Sequence, residues 1–250
     1  MNPMLNELKS DMTEFKNSIE RDMMIRRYQK WSVGEMTVED RLVDLGIKMR
    51  TQFVTSWRKV VKRSLDIFLS VFGLIGFAPV MLVVAVAIKL SSKGPAVLKQ
   101  TRVGLKGRCF SMYKFRSMRQ DAEVQSGPVW AKENDPRVTL IGKFLRKSHL
   151  DELPQLINVL KGEMSFVGPR PERPYFVQEF RKAIPHYERR HCAKPGITGL
   201  AQVSRGYDQT IEDVRKKVRY DVLYIQKMCP FLDVKLIALT IGSILIRPGR

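Results

Sequence analysis

Residues Ile67 to Ile88 read IFLSVFGLIGFAPVMLVVAVAI, a run of 22 positions without one charged side chain. About 20 apolar residues are enough to cross a bilayer core. A soluble core helix of that length carries a polar face, which this run lacks, so it belongs in a membrane. Pro79 lies near its middle, with Gly73 and Gly76 before it. Proline deletes a helical hydrogen bond and its ring crowds the preceding turn, so a kink is expected there. Both flanks are basic: Arg58, Lys59, Lys62 and Arg63 before the run, Lys89, Lys93, Lys99, Arg102, Lys106 and Arg108 after it. Lys/Arg-rich flanks stay on the cytoplasmic side, and no second hydrophobic run brings the chain back. A kinked helix that enters and leaves by one leaflet satisfies both flanks and is the favoured expectation. A spanning helix is the alternative.

The chain has 250 residues, 44% of them hydrophobic, enough for one sizeable core or a core plus a small extension. Its net charge is +19, and residues 1–60 carry 11 basic against 9 acidic residues, so the excess lies beyond them. A basic domain of this kind calls for nucleic acid, an anionic lipid surface or a phosphorylated substrate. Cys109, Cys192 and Cys229 form no CxxC pair, which argues against a zinc ribbon or a disulfide framework and fits a reducing compartment. His186 and His191 have no third ligand nearby and read as solvated loop histidines. The opening MNPMLNELKSDMTEF has acids where a secretory signal would be apolar, so no signal peptide is expected.

Three regions are expected: a helical N-terminal extension over 1–58, a membrane segment over 59–90 and a catalytic domain over 91–250. The extension holds amphipathic patterns such as MTVEDRLVDLGIKM and no chemical motif, so it reads as a packing or dimerising segment. Beyond the membrane segment, residues 91–118 read as short strands and turns punctuated by Gly94-Pro95, Gly104 and Gly107. QSGPVWAKENDPRVT is a polar loop and IGKFLRKSHL a short helix. In DELPQLINVLKG, Leu153, Leu156, Ile157 and Leu160 keep helical spacing and Gly162 closes the helix. IEDVRKKVRYDVLYIQKM is another helix, and FLDVKLIALTIGSILI is a packed or membrane-surface helix, with a second span as the less favoured alternative.

Asp151 and Glu152 stand together at the head of that DELPQLINVLKG helix, in an otherwise basic region. Two readings are open from the residues alone. In one, Pro154 occupies the first turn, Asp151 caps the helix and Glu152 complements its dipole. In the other, the pair does chemistry: Lys114, Arg116, Arg146, Lys147, Arg170 and Arg173 hold a phosphorylated substrate. One carboxylate then acts as nucleophile and its neighbour helps hold Mg²⁺ against phosphate oxygens.

Four stretches carry a resemblance that favours the second reading: KRSLDIFLS, YKFRSM, DPRVTLIGKFLRKSHLDELPQLINVLKGEMSFVGPRP and PGITGLAQV. Over roughly residues 59–247 the chain resembles the bacterial sugar transferase family, the monotopic phosphoglycosyl transferases. The resemblance implies an α-rich α/β fold: a re-entrant helix-break-helix with a catalytic domain on the cytoplasmic face of the bacterial inner membrane and amphipathic interfacial helices. It implies transfer of a sugar 1-phosphate from a UDP-sugar to undecaprenyl phosphate, with release of UMP, as the first membrane step of exopolysaccharide or other surface-glycan synthesis. Inner-membrane lipids are then partners, and nucleic acid is not. By position, Asp151 is the nucleophile that takes the phospho-sugar, Glu152 helps place Mg²⁺ and Arg146 partners the dyad or a phosphate. Lys114 and Arg116 lie near the phosphates, and Pro169-Arg170-Pro171 lies on the nucleotide side. Pro79 is the membrane break; Ala78 precedes it where familiar members often have Ser. Two readings from other classes compete: a membrane-anchored basic binding protein for nucleic acid or anionic lipid, and a membrane phosphohydrolase with water as final acceptor.

Overall fold

The computed structural model describes residues 38–119, 122, 135–204 and 210–246, with side chains over 57–119, 122, 135–204 and 210–244. The chain divides into two compact units, Met1–Trp57 and Arg58–Arg250. The expected N-terminal extension lies mostly outside the described residues, and the polar loop before Asp135 entirely so. Elsewhere the protein is mostly helical with two small sheets. The expected α/β character amounts to an antiparallel hairpin and one parallel pair.

Helix α1 (Val38–Ser91) is one uninterrupted element with Pro79 inside it, so the expected break does not divide the helix. Its stretch Trp57–Ser91 is long and apolar enough to cross a membrane, and only 11% of its most hydrophobic window is buried. Phe72, Ile75, Leu82 and Val83 are each more than 60% exposed. A soluble core helix would bury them, so this exposed apolar surface could anchor the protein in a membrane.

One stripe of α1 does pack. Asp66 accepts from Ser165 Oγ and from the Phe166 N–H, both at 2.9 Å. The Lys62 ammonium donates to the Val167 carbonyl, to Tyr224 Oη and to Asp233. Gly73 lies against Leu156, where a Cβ would approach the leucine methyl to 3.0 Å. Farther along, Val84 and Ile88 join Phe115 and Leu145 in a hydrophobic cluster. Between these two packed stretches, Ile75 to Val80 are all exposed.

Strands β1 (Val97–Val103) and β2 (Cys109–Phe115) form the hairpin, with Val97 opposite Phe115 and Val103 opposite Cys109. Then come α2 (Leu140–Lys147), a 3₁₀ turn (Leu150–Glu152), α3 (Gln155–Lys161) and β3 (Ser165–Val167). Helix α4 (Pro174–Ala183), a 3₁₀ turn (Tyr187–Cys192), β4 (Gly196–Thr198), α5 (Leu200–Ser204), α6 (Ile211–Lys227) and α7 (Pro230–Ile246) complete the unit. Strand β4 pairs in parallel with β3. Helix α6 starts on a capping box in which Thr210 and Asp213 satisfy each other's backbone N–H. Its apolar face (Val214, Val218, Val222) packs with Val177, Phe180, Ile184 and Tyr187 into the main core. Helix α7 behaves as its sequence suggests: Leu236 is buried, whereas Phe231, Val234 and Ile241 are exposed.

Candidate active site

The segment carrying the acid pair is placed by the residues around it. Thr139 caps α2, its hydroxyl accepting from the Gly142 N–H at 2.9 Å. Gly142 leaves no room for a Cβ against the backbone of Ser117, so α2 lies hard on the end of the hairpin. After Ser148 the backbone turns through His149 in the left-handed region, at φ 56°. That turn delivers Leu150, Asp151 and Glu152 as a 3₁₀ turn ahead of α3. Leu150 and Leu153 pack into the cluster around Val84 and Ile88 of α1, so the apolar residues flanking the acids rest on the anchor helix.

Asp151 is not a helix cap. Pro154 occupies the N-cap position of α3 and no side chain caps that end. The interposed 3₁₀ turn displaces Asp151 by a turn, and the ordinary structural reading of this residue fails for that reason. Its neighbours are cations instead. Glu152 Oε1 accepts from Arg170 at 2.6 Å and from Lys114 Nζ at 3.1 Å. Burial would raise the Glu152 carboxyl, but Arg170 and Lys114 outweigh it and hold the group well below the usual carboxylate range. Glu152 in turn keeps Arg170 firmly protonated.

Asp151 differs from its neighbour. It is only 8% exposed and receives no hydrogen bond among the described residues. Burial pushes its carboxyl up; Lys114 pulls it down, the Glu152 charge raises it, and Arg146 and Arg170 pull it down again. One acid is therefore committed to cations, and the other is surrounded by them with its oxygens unbonded. Lys114 reaches the pair because α3 is tied to β2 just ahead of it. Asn158, fully buried, donates to the Ser111 carbonyl and accepts from the Tyr113 N–H.

The Pro169-Arg170-Pro171 turn is held on three sides. The Pro169 carbonyl accepts from the Gly196 N–H, the Arg170 carbonyl from Arg190 and the Pro171 carbonyl from Arg102. Behind it, Glu172 is paired with Lys217 at 2.8 Å, and Arg190 with Asp221 at 2.7 Å. These are the residues that sequence reasoning missed. Arg102 was noticed only as a basic flank, and the Arg190–Asp221 pair joins positions 31 residues apart, which no local pattern connects. The only signal was indirect: an acid and a base on the apolar face of α6, where Lys217 and Asp221 lie beside Val214, Val218 and Val222.

Arg146 donates through Nε to Ser117 Oγ at 2.9 Å while acting on Asp151 through its charge. Arg116 is placed differently from Lys114. Its guanidinium donates to the Lys93 and Ser92 carbonyls and to Ser92 Oγ. It thus closes the C-terminal end of α1, and those bonds are structural. Lys114, Arg146 and Arg170 are gathered at the acids; Pro79 lies in the exposed middle of α1.

The donor set suits a hard divalent ion shared with a ligand. The Asp151 carboxylate and Glu152 Oε2 carry no hydrogen bond among the described residues, and no group of three or more His, Cys, Asp and Glu side chains occurs there. Two carboxylates with the remaining positions left to phosphate and water is the pattern Mg²⁺ takes, rather than a caged structural site.

Comparison with known proteins agrees with this geometry. Residues 57–247 match the family model described as bacterial sugar transferase. The chain is 48% identical over 185 residues to the UDP-N-acetylgalactosamine-undecaprenyl-phosphate N-acetylgalactosaminephosphotransferase of Aeromonas hydrophila, covering 74% of this chain and 44% of that protein. It is 46% identical over 188 residues to the UDP-glucose:undecaprenyl-phosphate glucose-1-phosphate transferase of Xanthomonas campestris pv. campestris, covering 74% of this chain and 39% of that protein. With the exopolysaccharide production protein PSS of Rhizobium leguminosarum bv. phaseoli it shares 42% identity over 193 residues, 75% of this chain and 96% of that one. The chain spans less than half the length of the first two. A buried acid pair ringed by Lys114, Arg146 and Arg170, set on an exposed apolar helix, and a family match covering all of these residues together show that the chain belongs to the bacterial sugar transferase family.

Proposed function

We propose that this protein transfers a sugar 1-phosphate from a UDP-sugar to undecaprenyl phosphate and releases UMP. The observation that carries the reading is Asp151: buried, unbonded and surrounded by cations while Glu152 beside it is taken. An Asp151 oxygen attacks the phosphorus that bears the sugar. The bond from that phosphorus to the bridging oxygen breaks, and UMP leaves with the electron pair. An oxygen of undecaprenyl phosphate then attacks the same phosphorus, Asp151 departs as carboxylate, and a polyprenyl-diphosphate sugar is formed. Lys114, Arg146 and Arg170 neutralise the phosphates, so that a carboxylate can approach an anion. Glu152 fixes Lys114 and Arg170 in place. Asp151 and Glu152 would hold Mg²⁺, which supplies further charge neutralisation at the phosphate oxygens.

The packing of α1 supports a re-entrant membrane arrangement. Lys62 and Asp66 at one end of the apolar stretch, and Ser92 and Lys93 at the other, are bonded to the same folded unit. Spanning would put those ends on opposite sides of the bilayer. This supports a reading in which both ends lie on one side, with Ile75 to Val80, around Pro79, dipping deepest into one leaflet. The basic flanks favour the cytoplasmic face of the bacterial inner membrane for that side. The exposed Leu140 and Phe144 of α2, with Lys143 and Lys147 beside them, rest at the lipid headgroups. Tags on either end of the chain are then both cytoplasmic; a periplasmic tag at one end alone breaks this topology.

The chemistry is tested by giving the purified protein a panel of UDP-sugars with Mg²⁺ and no acceptor. The expected result is UMP release in one burst and a phospho-sugar adduct on Asp151 by mass spectrometry. With undecaprenyl phosphate present, radiolabelled sugar moves into the lipid fraction. Transfer without any adduct under trapping conditions overturns the covalent route, and release of free sugar phosphate in place of labelled lipid identifies a hydrolase.

A further inference from the structure

Two neighbouring residues at the end of the hairpin grip two helices. The Arg116 guanidinium bonds the Ser92 and Lys93 carbonyls at the end of α1, and Ser117 holds α2 at both of its ends. At the start of α2 the Ser117 carbonyl accepts from the Thr139 N–H at 3.1 Å, and Gly142 lies against the same backbone. At the last turn the Ser117 hydroxyl accepts from Arg146 Nε at 2.9 Å. The two holds differ in kind. The first is made by backbone, and an adjoining antiparallel contact reinforces it: the Arg119 N–H donates to the Arg137 carbonyl, and Met118 pairs with Val138. The second depends on one hydroxyl, on a residue that is buried.

The three cations around Asp151 are also held differently. Lys114 and Arg170 are bonded to Glu152. Arg146 is bonded to neither acid: its Nε goes to Ser117, and its two terminal nitrogens have no acceptor among the described residues. Glu152 therefore fixes two of the cations, and Ser117 fixes the third. An arginine side chain has several rotatable bonds, and a charge at its tip wanders unless something pins it. A bond at Nε pins the inner edge of the guanidinium plane. It leaves the outer N–H groups as a fork, the geometry that pairs with two oxygens of one phosphate.

We infer that Ser117 is a positioning residue for the transfer: its hydroxyl sets the Arg146 guanidinium so that the free fork meets the phosphoryl group as that group passes from UMP to Asp151. The inference rests on the transfer reading above. Donors aimed at the phosphoryl oxygens matter most where charge spreads over them in the transition state. Loss of the Ser117 hydroxyl therefore acts on the chemical step more than on donor binding. The backbone contacts of Ser117 do not involve the hydroxyl, so its removal loosens Arg146 and leaves α2 in place.

The test uses the full chain in lipid nanodiscs with a UDP-sugar that supports transfer. The rate of the UMP burst without acceptor is measured over a range of donor concentrations. Ser117→Ala is expected to slow the saturating burst roughly tenfold, with the half-saturating donor concentration within about twofold of wild type. Ser117→Thr keeps the hydroxyl and is expected to stay within about threefold of the wild-type rate. Ser117→Cys, a weak acceptor of similar size, falls between them and carries the test if Ser117→Ala does not fold. Arg146→Ala is slower still, and adding Ser117→Ala to it costs less than about twofold more, because the hydroxyl then has nothing to hold. A serine with a merely structural role would slow both backgrounds alike. Three outcomes overturn the inference: a Ser117→Ala burst as fast as wild type, a Ser117→Thr burst as slow as Ser117→Ala, or an undiminished second loss in the Arg146→Ala background. Any of these with an active wild type rejects the positioning role alone; a wild type that releases no UMP from any UDP-sugar rejects the transfer reading itself.

Discussion

Two clusters of buried acids and bases lie on either side of the Pro169-Arg170-Pro171 turn, and they differ in one respect. Behind the turn, every acid is engaged: Asp221 accepts from Arg190 Nε at 2.9 Å and is ion-paired with its Nη2 at 2.7 Å, and Glu172 accepts from Lys217 with Arg102 at 3.7 Å. In front of it, Glu152 is equally engaged, but Asp151 is bonded to nothing among the described residues while three cations act on it. A closed cluster holds a turn in position; an open one leaves an oxygen able to attack. The difference between scaffold and chemistry here is one unmet acceptor, since the composition of the two clusters is much the same.

The sharpest way to break that comparison is to neutralise one member of each. Asp151→Asn should lower turnover by at least ~10³-fold, yet leave stability within about 1 kcal/mol, because it deletes a buried charge that has no hydrogen bond to lose. Arg190→Met should do the reverse at the level of the fold. It strands the Asp221 carboxylate, 2% exposed, and unbinds the Arg170 carbonyl, costing about 3–5 kcal/mol. Transfer assays and denaturant melts on both variants decide it; a strongly destabilised Asp151→Asn would make the front cluster structural as well.

A second, smaller effect separates the clusters by pH. Burial would raise the Glu172 carboxyl, but Lys217, Arg190 and Arg102 outweigh it and hold it at about 2, against an ordinary 4.5. Its folded-state value is depressed, so its contribution is complete above about pH 4.5 and is lost as pH falls toward 2. Stability should therefore drop by up to about 3 kcal/mol across that window, and Glu172→Gln should flatten the slope there. Asp151 has the opposite sign, its folded value being raised, so Asp151→Asn should leave the acid-side slope intact or steepen it. Melting curves taken between pH 2 and 5 test both statements.

The smallest effect on stability is expected where the surface is apolar and bare. Leu140 and Phe144 are 85% and 62% exposed on α2, so Leu140→Ser with Phe144→Ser should shift stability by no more than about 0.5 kcal/mol. If these side chains hold the site at the lipid boundary, as proposed, transfer to undecaprenyl phosphate held in vesicles should nevertheless fall severalfold. Unaltered transfer in vesicles would remove α2 from the membrane contact.

Much of this was legible in the chain itself. Ile67 to Ile88 is uncharged whatever surrounds it, and a helix of that length without a polar face is apolar enough to cross a membrane. The helices of α3 and α6 followed from their spacing, and Gly162 ends α3 in the left-handed conformation its residue type permits, at φ 83°. Asp151, Glu152, Lys114, Arg146 and Arg170 were named from sequence, through motifs that keep their order along the chain.

Only the tertiary structure decided what each of them touches. Lys114 and Arg116 are two residues apart and read alike, yet one bonds Glu152 and the other closes the end of α1. Asp151 looked like a helix cap until a left-handed His149 and a 3₁₀ turn put Pro154 in that place. The Arg190–Asp221 pair and the burial of His191, which reads as a solvated loop residue, had no local signature at all. Local pattern is written by hydrophobic spacing and backbone preference, which act within a few residues. Pairing of buried charges depends on which distant segments the core brings together, and the cost of leaving one unmatched exists only once water has been excluded.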